Sequence, residues 1–250
     1  MLRTITVTLF SALCVTPILS MGGELDPAQQ DWFEHYKKQA NIPKFDEMLA
    51  NADSEPDLGE GFETLFNGND LKGWTPRGGT CQFEVVDGKI VGTVVKGSSS
   101  TYLSTDREDY ADFVFTCEMK WAVDSNTGIM FRAQRKPGAK GETVFGPQAE
   151  MEAEGLNRGW SGGIYGQSVG GWLYPLWLKS HAEARKAQKK GEWNRITIEA
   201  KGKVVKTWIN GVPAAHWVTD EYPKGFFSLQ IHSGKEGEVH FRDIRVKELK

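Results

Sequence analysis

The spacing of apolar and polar positions changes character once along the chain. From Gly61 onward it runs as short alternating segments: "CQFEVVDGKIVGTVV" (81–95), "DFVFTCEMKWAV" (112–123), "TGIMFRAQ" (127–134), "PQAEMEAE" (147–154), "WNRITIEAKGKVVKTWING" (193–211), "FFSLQIHSG" (226–234) and "GEVHFRDIRVKEL" (237–249). A period of two is that of a strand with one buried face. Asp87-Gly88, Lys201-Gly202 and Asn210-Gly211 mark turns between such strands, the first suiting a two-residue type I′ hairpin. There is no βαβ rhythm, no P-loop and no GxGxxG motif. The pattern predicts an all-β domain over residues 61–250, a two-sheet antiparallel jelly-roll sandwich. Residues 180–190 look helical and are expected as a surface excursion. Residues 157–177 read as a long Gly/aromatic loop.

Upstream the period is different. Asp26 is an N-cap, Pro27 fits the first helical position and Gln29 completes a capping box. Trp32, Phe33 and Tyr36 then share one helical face, and Asn41-Ile42-Pro43 stops the helix; Phe45–Ala50 suits a second short turn, and the acidic stretch 53–61 reads as a linker. Residues 23–60 are thus a short helical leader, with a docking segment as one role. Residues 1–22 carry one Arg before the apolar run Ile5–Leu19 and small residues at Ser20 and Gly22. That is a signal-peptide layout, too short for a membrane span, and it predicts a periplasmic or secreted protein.

Three strands show the same division. Ile129, Phe131 and Ala133 oppose Met130, Arg132 and Gln134; Ala149, Met151 and Ala153 oppose Gln148, Glu150 and Glu152; Phe227, Leu229 and Ile231 oppose Ser228, Gln230 and His232. If these strands share one sheet, its outer face carries a guanidinium, an imidazole, amides and carboxylates together. Antiparallel sheets commonly leave one face wet. These faces, however, concentrate Arg, Gln, Glu and His rather than Lys, Thr and Ser, which favours a hydrogen-bonding trough.

Composition adds little beyond this. The 250 residues carry a net charge of −3 and no basic stripe, so nucleic acid is not an expected partner. Nine Trp and 28 Gly suit a turn-rich sandwich, and indole faces also stack on sugar rings; Trp160, Tyr165 and Trp172 are candidates for that contact, against the alternative that they are core. Cys81 and Cys117 both fall on the apolar parity of their strands, so a disulfide and two buried free thiols remain open. His181, His216 and His240 lack metal-ligand spacing, and no GxSxG motif is present.

The blocks "GFETLFNGNDLKGWTPRGG" (61–79), "FEVVDGKIVG" (83–92), "DFVFTCEMKW" (112–121), "NTGIMFR" (126–132), "SGGIYG" (161–166), "GEWNRITIEAKGKVVKTWING" (191–211) and "GFFSLQIHSGKEGEVHFRDIRVKEL" (225–249) occur in this order. Together they resemble the 3-keto-disaccharide hydrolase domain family, a concanavalin-like jelly roll of exported bacterial proteins. The resemblance implies cleavage of glycosides already oxidised at carbon 3 of the sugar. There the ketone acidifies the hydrogen on carbon 2, so a base can eliminate the group on carbon 1 before water adds back. Such chemistry wants a base near neutral pKa, a stabiliser for the enolate oxygen and ligands for hydroxyls. Glu150 or His232 would be the base, Arg132 the enolate ligand, and Gln148, Gln230, Gln134 and Glu152 sugar ligands. No cofactor is certain from the sequence; a divalent ion on Glu150, Glu152 and His232 could replace Arg132 as electrophile. The chain departs from the family's "G-x-E-x-Q-I-x-D" strand, because Gln148 stands at the Glu position and Glu150 at the Gln position.

Two other functions compete. A laminarinase-type retaining glycosidase would need carboxyls about 5–5.5 Å apart, whereas Glu150 and Glu154 stand about 13 Å apart by strand rise. A non-catalytic carbohydrate-binding or assembly module would use the same trough without turnover.

Overall fold

The structure, a computed structural model, describes residues 23–138 and 141–250; the signal-peptide pattern of residues 1–22 lies outside them. A 3₁₀ turn at Pro27–Gln29 leads into helix α1 (Gln30–Tyr36), and the Asp26 carboxylate caps the turn by accepting from Ala28 N–H at 3.0 Å. The strands follow: β1 (Glu63–Thr64), β2 (Trp74–Gly78), β3 (Gln82–Val86), β4 (Lys89–Thr93), β5 (Thr101–Thr105), β6 (Phe113–Val123), β7 (Thr127–Gly138), β8 (Gly141–Met151), β9 (Ile164–Gln167), β10 (Gly171–Tyr174), β11 (Asn194–Lys201), β12 (Val204–Ile209), β13 (Val212–Val218), β14 (Phe226–Ile231) and β15 (Glu238–Glu248).

They form two antiparallel sheets packed as a jelly-roll sandwich. One runs β13-β12-β11-β6-β15-β4-β3, with β1 on β15; the other runs β10-β9-β8-β7-β14-β5-β2. The inward parity of each strand supplies the core, where Phe227 packs on Phe113 and Phe115 at 4.7 and 4.6 Å between ring centres. Burying each such ring stabilises the fold by roughly 1.5–3 kcal/mol. Asp87 and Gly88 both adopt positive φ between β3 and β4, as their hairpin requires.

Several expectations need correction. The 157–177 segment is not a loop throughout, because it contains the β9–β10 hairpin. Residues 180–190 form a single 3₁₀ turn at Ala184–Lys186, after another at Lys179–His181, rather than a continuous helix. Cys81 and Cys117 are buried and unpaired, and burial pushes the Cys117 thiol well up. Nor is the 53–61 stretch a free linker. Glu55 accepts from Arg195 at 3.0 and 2.6 Å and from Thr197 at 2.7 Å, while the Leu58 and Glu60 carbonyls accept from Arg245 and Lys247.

The largest departure is at Arg132. Between Met130 and Gln134, β7 carries one more residue than β8 between Phe145 and Gln148, a bulge with Arg132 at φ 46°. Parity slips across it, so Ala133 joins Met130 on the outer face beside Tyr102, Val144 and Phe226. The Arg132 guanidinium turns away into the body and is 1% exposed. Its nitrogens donate to the carbonyls of Ala111 (2.8 Å), Gly202 (2.9 Å) and Tyr222 (3.2 Å) and to Asp112 (3.1 Å). Arg132 is therefore a structural clamp, not an enolate ligand. Arg132→Leu, which removes the donor to three carbonyls and to Asp112, is expected to lower unfolding free energy by about 1–3 kcal/mol in urea titrations.

Candidate active site

The outer face of the seven-stranded sheet is not solvated over β7, β8 and β14: Gln148, Glu150, Ser228 and Gln230 are all under 5% exposed. The register explains how they meet. Glu150 on β8 pairs with Gly128 on β7, Gly128 with Gln230 on β14, and Gln230 with Tyr102 on β5. Gly128 has no side chain, and a Cβ there would sit 2.7 Å from Gln148 Nε2. That gap lets the Gln148 amide lean across, donating to Glu150 Oε2 at 2.8 Å and to Gln230 Oε1 at 3.0 Å. Asn126 donates to the other Glu150 oxygen. Gln167 donates to Tyr102 Oη. Gln148 Oε1 is a buried acceptor that no donor among the described residues satisfies.

Of these, Asn126, Gln148 and Glu150 floor a cleft of about 350 Å³, and Gln230 lies buried behind them as the partner of Gln148. Tyr165, Gln167 and Trp172 form one wall, His232 stands exposed at the mouth, and Arg158 enters from the loop after β8. Tyr36 and Gln39, from the leader, close another side. A larger depression of about 460 Å³ lies between residues 41–49 and β13, but it is lined by no buried carboxylate.

Burial dominates the electrostatics. It pushes the Glu150 carboxyl up to about 7, aided by the nearby Glu152 charge and opposed by the Asn126 and Gln148 hydrogen bonds and by Arg158. Arg158 bonds Glu152 through Nε and the Tyr36 hydroxyl through Nη1. Burial alone would lower the Arg158 guanidinium, yet Glu152 more than offsets this and holds it above its ordinary value. Its charge centre lies 5.1 Å from the Trp160 ring and 4.9 Å from the Trp172 ring.

The structure thus gathers Gln148, Glu150, His232 and Tyr165 about the cleft. Gln230 is buried behind Gln148, and Trp172 is in the wall but only 1% exposed, too dry to stack on a sugar. The remaining candidates lie elsewhere. Arg132 is behind the sheet. Gln134, beyond the bulge, donates to the Lys224 carbonyl at 2.6 Å and does not line the cleft. Trp160 is fully buried, its Nε1 donating to Gln29 at 2.7 Å, so it presents no face to a sugar. Strand β8 ends at Met151, so the alternation does not carry Glu152 onto the same face; its carboxylate is used by Arg158 and by Trp160 N–H at 3.0 Å. With Glu152 so engaged, Glu150, Glu152 and His232 do not fit a shared divalent ion, and among the described residues no three His, Cys, Asp or Glu side chains converge on a metal position. The sequence reading missed Tyr36, Gln39, Asn126, Arg158 and Gln167. Only Asn126, inside the block "NTGIMFR", stood in a quoted motif of the polar-faced strands.

Because folded Glu150 keeps its proton to about pH 7 while an unfolded glutamate releases it near 4.5, the unfolded chain binds fewer protons between those values. Stability is expected to fall as pH rises through that window, and Glu150→Gln to flatten the dependence; chemical denaturation at several pH values measures it.

No curated protein matches the chain. Among solved structures, it is similar to a candidate glycosyl hydrolase from Parabacteroides distasonis ATCC 8503, with 22% identity and a TM-score of 0.55 over 76% of this chain and 95% of that one. A second such protein from the same organism shows 21% identity and 0.51 over 75% and 99%. A Bacillus subtilis protein of unknown function with a galectin-like fold shows 13% and 0.50 over 78% and 98%. At these identities the likeness is one of fold. The family comparison reaches further: residues 61–247 match the 3-keto-alpha-glucoside-1,2-lyase-like domain, and the chain belongs to that family.

Proposed function

We propose that this carbohydrate-active domain is an exported enzyme that cleaves 3-keto-glycosides by elimination and hydration, with Glu150 as the base. The observation that carries the reading is a single buried carboxyl, raised to about 7, on the floor of a polar cleft. A group so poised takes and returns a proton near neutral pH. Family membership supports the substrate class.

In the proposed reaction the Glu150 carboxylate removes the hydrogen on carbon 2, and the released electron pair forms an enolate through carbon 3. The enolate then collapses: the ketone is restored, a double bond forms between carbons 1 and 2, and the carbon 1–oxygen bond breaks. The departing oxygen takes up a proton and leaves as the free alcohol. Water adds across the new double bond, its hydroxyl to carbon 1 and a proton to carbon 2. Arg158, already desolvated, is the cation suited to the enolate oxygen, in the role the sequence suggested for Arg132. Gln148 Oε1 suits a sugar hydroxyl as donor, and the Tyr165 ring offers a half-buried face. His232, at the mouth, suits protonation of the departing oxygen.

The test is turnover of 3-keto-trehalose and methyl 3-keto-α-glucoside beside their unoxidised counterparts. Only the keto substrates should be cleaved, with kcat/KM rising with pH through about 7, and Glu150→Gln should cost about 10²–10⁴-fold in kcat. Cleavage of unoxidised glucans would replace this reading with an ordinary glycosidase. Binding without any turnover would make the protein a carbohydrate-binding module.

A further inference from the structure

The leader segment lies outside the family match, which begins at residue 61, yet two of its side chains line the cleft that holds Glu150. Its seating is built into the body. Gln39 Oε1 accepts from Trp172 N–H at 2.9 Å, and Asn41 donates to the Val169 carbonyl at 3.1 Å. The β9–β10 turn receives them with glycines: a Cβ on Gly171, at φ 93°, would lie 2.4 Å from Gln39 Oε1, and one on Gly170, at φ 129°, 2.7 Å from Asn41 Nδ2. Ahead of α1, Leu25 bridges to Leu178, Asp26 pairs with Arg185, and Gln29 receives Trp160 Nε1–H. On α1 itself, Trp32 and Tyr36 pack against Trp160, with ring centres 6.3 and 5.5 Å away.

This anchoring leaves two donors over. Gln39 uses its carbonyl oxygen on Trp172, and among the described residues its Nε2 donates to no protein acceptor. Tyr36 Oη accepts from Arg158, and among the described residues its own hydrogen is given to no protein acceptor. Both groups belong to the cleft wall, opposite an otherwise acceptor-bearing floor of Glu150 and Gln148.

We propose that the leader completes the ligand site, with Tyr36 Oη–H and Gln39 Nε2–H donating to oxygen atoms of a saccharide ring held over Glu150. The inference rests on the proposed function for its choice of ligand. It makes the two residues determinants of substrate affinity, supplied from outside the family domain.

Two variants separate binding from scaffolding. Gln39→Glu keeps the acceptor for Trp172 N–H but removes the amide donor, and Tyr36→Phe keeps the aromatic packing but removes the hydroxyl. Each is expected to raise KM for 3-keto-trehalose by about fivefold or more, the loss of one hydrogen bond, with kcat of the Gln39 variant within twofold and the melting temperature of the full chain preserved in both. A KM unmoved in both, or a fall in melting temperature that accounts for any loss, would overturn the proposal and leave α1 a strut. If the wild type cleaves neither keto substrate, the function reading has failed. The donors are then judged by protein-observed NMR titration with 3-keto-trehalose. A weaker dissociation constant in both variants supports them, and equal constants, or no binding to the wild type, overturns them.

Discussion

The ion pair between Glu152 and Arg158 holds the cleft together. Both side chains are nearly dry, at 3% and 11% exposed, and a lone charge in either place would be costly. Paired, they let a guanidinium stand among the rings of Trp32, Tyr36, Trp160 and Trp172, where cation–π attraction replaces lost water. That arrangement ties three parts of the chain: the end of β8, the loop after it, and the leader helix. It also divides the two neighbouring carboxylates. Glu152 is spoken for by a cation and a backbone N–H, while Glu150, two residues earlier, accepts from the amides of Asn126 and Gln148. Two acids of the same strand end thus acquire different chemistry from their partners alone.

Gly128 is the second constraint. A cross-strand neighbour with any side chain would occupy the space into which Gln148 leans, and the row from Glu150 through Gln148 and Gln230 to Tyr102 would be interrupted. On β8 the amide precedes the acid, Gln148 and then Glu150. The hydrogen-bonded row accommodates that order: the amide lies between the acid and Gln230, and both its N–H groups find acceptors.

Alternation, turn pairs and strand parity carried the sandwich, and for β8 and β14 they also carried the face on which Gln148, Glu150 and Gln230 meet. Parity is a local property, and it failed where the backbone broke step. One extra residue in β7 sent Arg132 through the sheet, and the end of β8 at Met151 took Glu152 out of the row. Arg158 belongs to a loop with no period at all, and its placement depends on rings brought from residues 32, 36, 160 and 172. Trp160 and Trp172 carried the right composition for sugar stacking but are buried against each other, Arg158 and the leader's Tyr36, contacts that no window of sequence displays.

The strap formed by residues 25–60 bears on the order in which the molecule assembles. Its contacts close across large separations, from 122 residues for Tyr36 with Arg158 to 187 for Glu60 with Lys247. Doubling a loop adds only about 0.6 kcal/mol of closure entropy, so such contacts are affordable at equilibrium, but they form late because their docking surface must exist first. The hairpins can pair and the sandwich can close while the strap is still loose. Detaching it also needs less opening than melting the sheets. A strap that loosens while both sheets persist takes with it the wall of the cleft formed by Tyr36 and Gln39.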